Sequence, residues 1–387
     1  MHTIHWFNPQ TNDNLPIIAM NERLILSFDD FDAVFKNYQY SIVRYDKNWE
    51  PSSAFMSEFL DGYETNVIRD FSNSFNTRQH YMNYRITIPN QDVRLKLSGN
   101  YGLRVFAPGS STPIFEKRFS VYDRMAEIGV MVERRNTPNE LNQQVTVRVS
   151  APNLDFTQNA NSLQMVILKN NNWIENIVLD RPTFAQPQQL QYSQMDNLFA
   201  GGTEYSFFDT KNVQIAGFST ERVVMDDLFH HILFANSYDP TAAYLDRPDV
   251  NGNFYVRNIL LPNPNVAFAE ADYVYVHFGL ADFTPNTGEE ICVYGAFTGF
   301  ECTPESTLQY VAESGLYETT MKLKQGYYNF HYAVRNVQTG EMDYTAIPGS
   351  YWQTENLYNA LLYYTPWGSR YDLLIGYGEG YSRPSQR

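Results

Sequence analysis

Apolar and polar residues alternate in short runs closed by Asn, Asp, Gly and Pro. Clear examples are residues 23–28 (RLILSF), 38–45 (YQYSIVRY) and 84–88 (YRITI). Others are 145–149 (VTVRV), 163–168 (LQMVIL), 273–279 (YVYVHFG) and 371–375 (YDLLI). Side chains of an extended chain point to opposite faces in turn, so runs of this length and period are expected to be strands. No long helical stripe competes with them, and residues 52–60 and 226–233 are the best short helix candidates. The aromatic share of 16%, with 29 Tyr and 26 Phe, suits pleated, half-buried surfaces. The expected fold class is all-β.

One pattern occurs twice. Ser98-Gly99-Asn100-Tyr101 and Gln325-Gly326-Tyr327-Tyr328 each place Gly-x-Tyr ahead of apolar residues at every second position. In immunoglobulin-like sandwiches a Tyr near the start of a late strand hydrogen-bonds back to the backbone at a corner. Two occurrences predict two such sandwiches. Strand runs and turn clusters then divide the chain into tandem domains at 1–122, 123–268 and 269–387, packed together because no linker is long or low in complexity.

Charge narrows the range of partners. With 28 Lys and Arg against 43 Asp and Glu, the net charge is −15, which disfavours nucleic acid as a partner. No run approaches the roughly 18 apolar residues of a spanning helix, so direct membrane insertion is not expected. The first ten residues lack the basic start and apolar run of a signal peptide; if the protein is exported, the expectation is that its signal has been removed. Cys292 and Cys302 flank a Gly-containing segment, CVYGAFTGFEC. A hairpin there would favour a disulfide and an oxidising compartment, while the alternative is two reduced thiols on neighbouring strands. Their spacing does not suit a zinc site.

Motifs for chemistry are mostly missing. There is no Gly-x-Ser-x-Gly elbow, His-Glu-x-x-His or phosphate-binding loop. The glycine-rich 376–380 (GYGEG) reads as a tail leaving the last strand, and 249–253 (DVNGN) as a hairpin turn rather than a calcium loop. Asp29, Asp30 and Asp32 read as a solvated turn with no visible partner. Adjacent His230 and His231 would point to opposite faces of a strand, or lie about 100° apart on a helix, so they do not easily share a metal, and His331 is expected to be a satisfied or surface histidine. No catalytic residue, cofactor or metal site is expected.

The first domain resembles the N-terminal domain of the type IX secretion system plug protein family of Bacteroidota. The resemblance rests on Leu26-Ser27-Phe28-Asp29-Asp30, Asp46-x-x-Trp49-x-x-Ser52, Ser74-Phe75-Asn76-Thr77, Tyr81-x-x-Tyr84, Ile88-Pro89-Asn90 and Ser98-Gly99-Asn100-Tyr101. One departure precedes Trp49: many relatives carry a His-Cys pair where this chain has Arg44-Tyr45. The resemblance implies a non-enzymatic periplasmic protein, peripherally attached to the outer-membrane translocon. It would close the periplasmic end of the large translocon barrel, its partner, when no cargo or shuttle is engaged. Residues 293–332 are similar to early-set immunoglobulin-like domains that accompany starch-active enzymes. That implies an alternative role in glycan binding, with Trp352 and Trp367 as candidate aromatics, although burial is the commoner fate of such residues.

Overall fold

The structure is a computed structural model that describes all residues except 12, 135–140, 157–161, 194–196, 262–267 and 384–387. Strands make up 51% of the chain and helix 3%. The chain forms three β-sandwiches.

The first sandwich packs a sheet of His2–Phe7, Leu24–Asp30, Met82–Ile88 and Asp70–Asn73 on a second sheet. That second sheet is built from Ile17–Ala19, Pro113–Tyr122, Gly99–Phe106, Gln39–Tyr45 and Asn66–Val67. Alternation works as the sequence predicts: Leu24, Leu26 and Phe28 all face the core, opposite Ile88, Ile86 and Tyr84. The 52–60 segment supplies a single helical turn, Met56–Phe59.

The second sandwich is discontinuous in sequence. Its sheets are Glu127–Arg134, Asn142–Ser150, Gln189–Tyr192, Phe184–Gln186 and Leu198–Ala200, against Asn172–Leu179, Leu163–Lys169, Leu357–Tyr364 and Leu373–Tyr381. Leu163–Lys169 pairs with Leu357–Tyr364, nearly two hundred residues later, from Leu163↔Tyr364 to Lys169↔Tyr358. The third sandwich is therefore an insertion, drawing its strands from Ser206–Asp209 through Met342–Asp343. The expected divisions at 123–268 and 269–387 do not follow these sheets, because strand pairing over such a distance leaves no local trace in sequence.

Leu163–Lys169 is buried at every position. Met165 and Ile167 face the core of the second sandwich, while Val166 and Leu168 join Leu15 and Ile17 of the first. A strand covered on both faces is expected to be largely apolar, which accounts for the LQMVIL run, in which the one polar residue, Gln164, donates to Asp180 Oδ1 at 2.9 Å.

Two other sequence readings are corrected. Phe229–Leu233, within the second helix candidate, is a strand with alternating burial, paired in parallel with Tyr273–Ala281. The GYGEG segment lies inside the last strand and is not a free tail. A Cβ on Gly378 would stand 2.3 Å from the Ile128 carbonyl oxygen, so glycine lets this strand close against Glu127–Arg134. Both expected tyrosine corners are present: Tyr101 OH donates to Leu97 O at 2.6 Å, and Tyr328 OH donates to Lys324 O.

Candidate interaction surface

Three buried polar seams lock the sandwiches together. Between the first and third, Lys324 Nζ donates to Asp29 Oδ2 at 2.6 Å, with both side chains only 1% exposed. Tyr273 OH donates to the same oxygen at 2.6 Å, and Asn83 Nδ2 donates to Asp29 Oδ1 at 2.8 Å. The ammonium also lies 4.2 Å from the Tyr81 ring centroid and donates to Phe268 O. Burial pushes the Lys324 amine below its ordinary pKa. This seam accounts for the acidic cluster: Asp29 and Asp30 are buried strand residues rather than a solvated turn, and only Asp32 is exposed.

Between the first and second sandwiches, buried Arg44 donates to Ser98 O at 2.9 Å and to the Asp372 carbonyl. The Asp372 carboxylate accepts Lys47 N at 2.6 Å, and burial raises its pKa. Tyr363 OH donates to Asn100 Oδ1 at 2.8 Å, and Trp49 meets Trp173 edge-on at 5.0 Å. At the third seam Glu204 Oε1 accepts Arg383 Nη2 at 2.8 Å, Glu355 N at 3.0 Å and Tyr244 OH. Desolvation raises the pKa of Glu204. Nearby Asp249 spends its carboxylate on Tyr205 N and Asn251 N, and burial pushes it up to about 7. The DVNGN segment thus ties loops together ahead of the strand Phe254–Val256 and does not form a hairpin turn.

The first sandwich carries an exposed aromatic rim. Phe35 and Phe71 touch at 4.6 Å while 49% and 42% exposed, and the neighbouring Val34 and Phe75 are 62% and 71% exposed. Phe71 lies on Asp70–Asn73, the edge strand of its sheet. An edge with unpaired backbone groups beside exposed aromatic rings is suited to contact another protein.

This rim and two of the seams belong to a segment with known relatives: residues 1–123 match the family described as type 9 secretion system plug protein, first domain. The first sandwich is similar to a plug-protein first domain. Several residues of the matched segment, namely Asp29, Trp49, Tyr81 and Asn100, are the ones that seat it on the other two sandwiches. A crystallised hypothetical protein from Parabacteroides merdae ATCC 43184 is similar over 98% of this chain and 96% of its own, at 27% identity and a TM-score of 0.92. The C-terminal domain of the Streptococcus pyogenes antigen I/II-family protein AspA aligns over 97% of this chain and 98% of that one. Its identity of 9% and TM-score of 0.18 carry no argument. No curated protein matches the chain.

The remaining candidate residues are scattered. Cys292 lies on the strand Glu289–Tyr294 and is joined to Cys302 with a Cα separation of 5.5 Å. Cys302 follows a short 3-10 turn, Ala296–Thr298, rather than a second hairpin strand. Neither tryptophan lies in the third sandwich. Half-buried Trp352 sits in the return segment under Arg134, whose guanidinium is 4.6 Å from its ring centroid. Trp367 is 95% exposed, at the turn between the last two strands of the second sandwich. His231 is buried and bonds Val213 O at 3.0 Å, while His230 faces out and shares a 2.8 Å hydrogen bond with His277. Among the described residues, Asp226, Asp227 and His230 have donor atoms within 4.8 Å of one another, but both carboxylates are exposed and His277 already engages His230 Nδ1. His331 bonds Thr203 O at 3.1 Å, and burial lowers its pKa to about 4.

Proposed function

We propose that this protein is a non-enzymatic plug of the type 9 protein secretion system. It sits in the periplasm, peripherally attached to the outer-membrane translocon, and closes the periplasmic end of that barrel when neither cargo nor shuttle is engaged. The observation that carries this reading is the plug-protein first domain at residues 1–123. The architecture supports it: a stopper must resist deformation, and each sandwich is joined to the other two through buried polar contacts. The rim of Phe35 and Phe71 is the proposed contact with the barrel, since it is exposed and lies within the plug domain.

A plug that holds the closed state at 99:1 needs about 2.7 kcal/mol of differential binding, equivalent to a free concentration near one hundred times Kd. Deleting the gene is expected to raise uptake of large hydrophilic probes, most of all where the competing shuttle is also absent. Cargo secretion should continue at least in part, because a stopper is not a motor. Unchanged permeability in the double deletion, with normal translocon levels, rejects the reading.

A further inference from the structure

A cleft of about 640 Å³ opens where the three sandwiches meet, lined from the first by Lys117 and Arg118, from the second by Asn171 and Trp173, and from the third by Glu301. A second hollow of about 350 Å³ adjoins it and shares Lys117 and Glu301. The volume lies in the range of ligand sites.

Lys117 breaks the pattern of its strand. In Pro113–Tyr122 the alternate residues Phe115, Phe119 and Val121 pack on the core of the first sandwich, and Lys117 shares their parity, opposite the buried Leu103. An apolar side chain is expected at such a position, because a desolvated amine costs free energy unless something compensates it. Burial does push the Lys117 amine below its ordinary pKa, and Glu301 is the charge acting in the other direction. No ion pair or hydrogen bond engages the amine among the described residues. Arg118 is also without a carboxylate partner there and lies over the Trp49 ring at 4.8 Å. Glu116 is already committed to Arg104 at 2.6 Å, and His5, held down to about 4 by burial, is neutral near pH 7. Among the described residues the cleft therefore offers two cations without an ion-pair partner against one such carboxylate, Glu301, on a chain whose net charge is −15.

Asn171 adds the second requirement. Its Oδ1 is buried and has no hydrogen-bond partner among the described residues, so it is able to accept a donor from a ligand. A phosphate dianion would meet stronger repulsion from Glu301 than a single carboxylate and would bring no N–H. A peptide brings both a carboxylate and amide N–H groups, and Trp173 offers a half-buried ring beside them.

We propose that the cleft is a peptide-binding site that takes a carboxylate at Lys117 and a backbone N–H at Asn171 Oδ1. The inference is independent of the plug reading, since it concerns a soluble ligand and requires no translocon.

The test uses the full chain and four probes at low salt, followed by calorimetry and tryptophan fluorescence. N-acetyl-dialanine carries the carboxylate, its C-terminal amide keeps every other N–H but loses the charge, acetate lacks the peptide, and glucuronate is a sugar acid. The peptide acid is expected to saturate and to bind at least about tenfold more tightly than the amide. Lys117→Met should remove that preference without lowering Tm, because Met suits the apolar parity of the position. Asn171→Gly, at a left-handed position with φ 60°, should weaken acid and amide alike. Equal binding of acid and amide, no saturation below about 10 mM, or glucuronate matching the peptide acid would each overturn the proposal.

Discussion

The ion pair between Lys324 and Asp29 shows how a residue can act far beyond its local sequence. Both side chains are out of water, and the carboxylate is completed by Tyr273 and Asn83. Removing one partner of such a pair leaves an uncompensated charge and typically costs about 3–5 kcal/mol, whereas replacing both can be nearly neutral. Lys324→Met is expected to destabilise the protein by that amount in chemical denaturation, and Asp29→Asn combined with Lys324→Met should recover part of the loss. Equal stability of Lys324→Met and the parent would reject the pair as a structural element. Asp249 gives a prediction in pH. Its folded pKa of about 7 exceeds the ordinary carboxylate value. Between about pH 4 and pH 7 the folded state therefore holds a proton that the unfolded state has released. Its contribution to stability falls as pH rises through that window, with Glu204 and Asp372 acting in the same direction. Buried histidines lowered to about 4, such as His331, act in the opposite direction as pH falls below about 6.5. Asp249→Asn should thus gain stability relative to the parent as pH is raised from 5 to 7.5. A difference between the two proteins that stays constant with pH contradicts this.

At the scale of elements, the last strand is shaped by what it lies against. Gly376, Gly378 and Gly380 face the backbone of residues 126–130, where a side chain would meet carbonyl oxygens of Ala126, Ile128 and Val130. Gly378→Val is expected to force the two strands apart and cost at least about 1–3 kcal/mol, read as a lower Tm. A variant that melts with the parent would show that the close approach is dispensable. The Cys292 to Cys302 link closes a ten-residue separation. By chain entropy it is worth about 2–3 kcal/mol, less any strain. Mass spectrometry of non-reduced protein should find both thiols blocked, and two free thiols would refute the pairing.

For the whole molecule, the seams make the sandwiches interdependent. Asp29, Arg44 and Asn100 all spend hydrogen bonds on the other two sandwiches, and Leu15 and Ile17 pack against the second. A fragment of residues 1–123 would expose these groups, so it is expected to unfold at lower denaturant than the same segment within the full chain. Coincident midpoints would mean that the seams contribute little.

Much of this was legible in local pattern. The period-two runs locate strands because alternation depends only on backbone geometry, and Gly-x-Tyr marks Tyr101 and Tyr328 because the corner bond reaches just four residues back. The plug-domain motif could likewise be read in order along the first domain. Other features were decided by tertiary structure. Residues 226–233 carry a pattern compatible with a short helix, and pairing with Tyr273–Ala281 makes part of them a strand. The glycines of GYGEG look like a tail until the strand opposite them is in place. The partner of Asp29 lies 295 residues away, and the strands that complete the second sandwich follow an entire inserted sandwich. The cleft at Lys117 and Asn171 likewise exists only where surfaces of the three sandwiches meet. Sequence by itself determined the local alternation and corners, because those forces act within a few residues; tertiary structure alone decided the insertion, the buried charge pairing and the cleft, because each requires groups that only the folded chain brings within bonding distance.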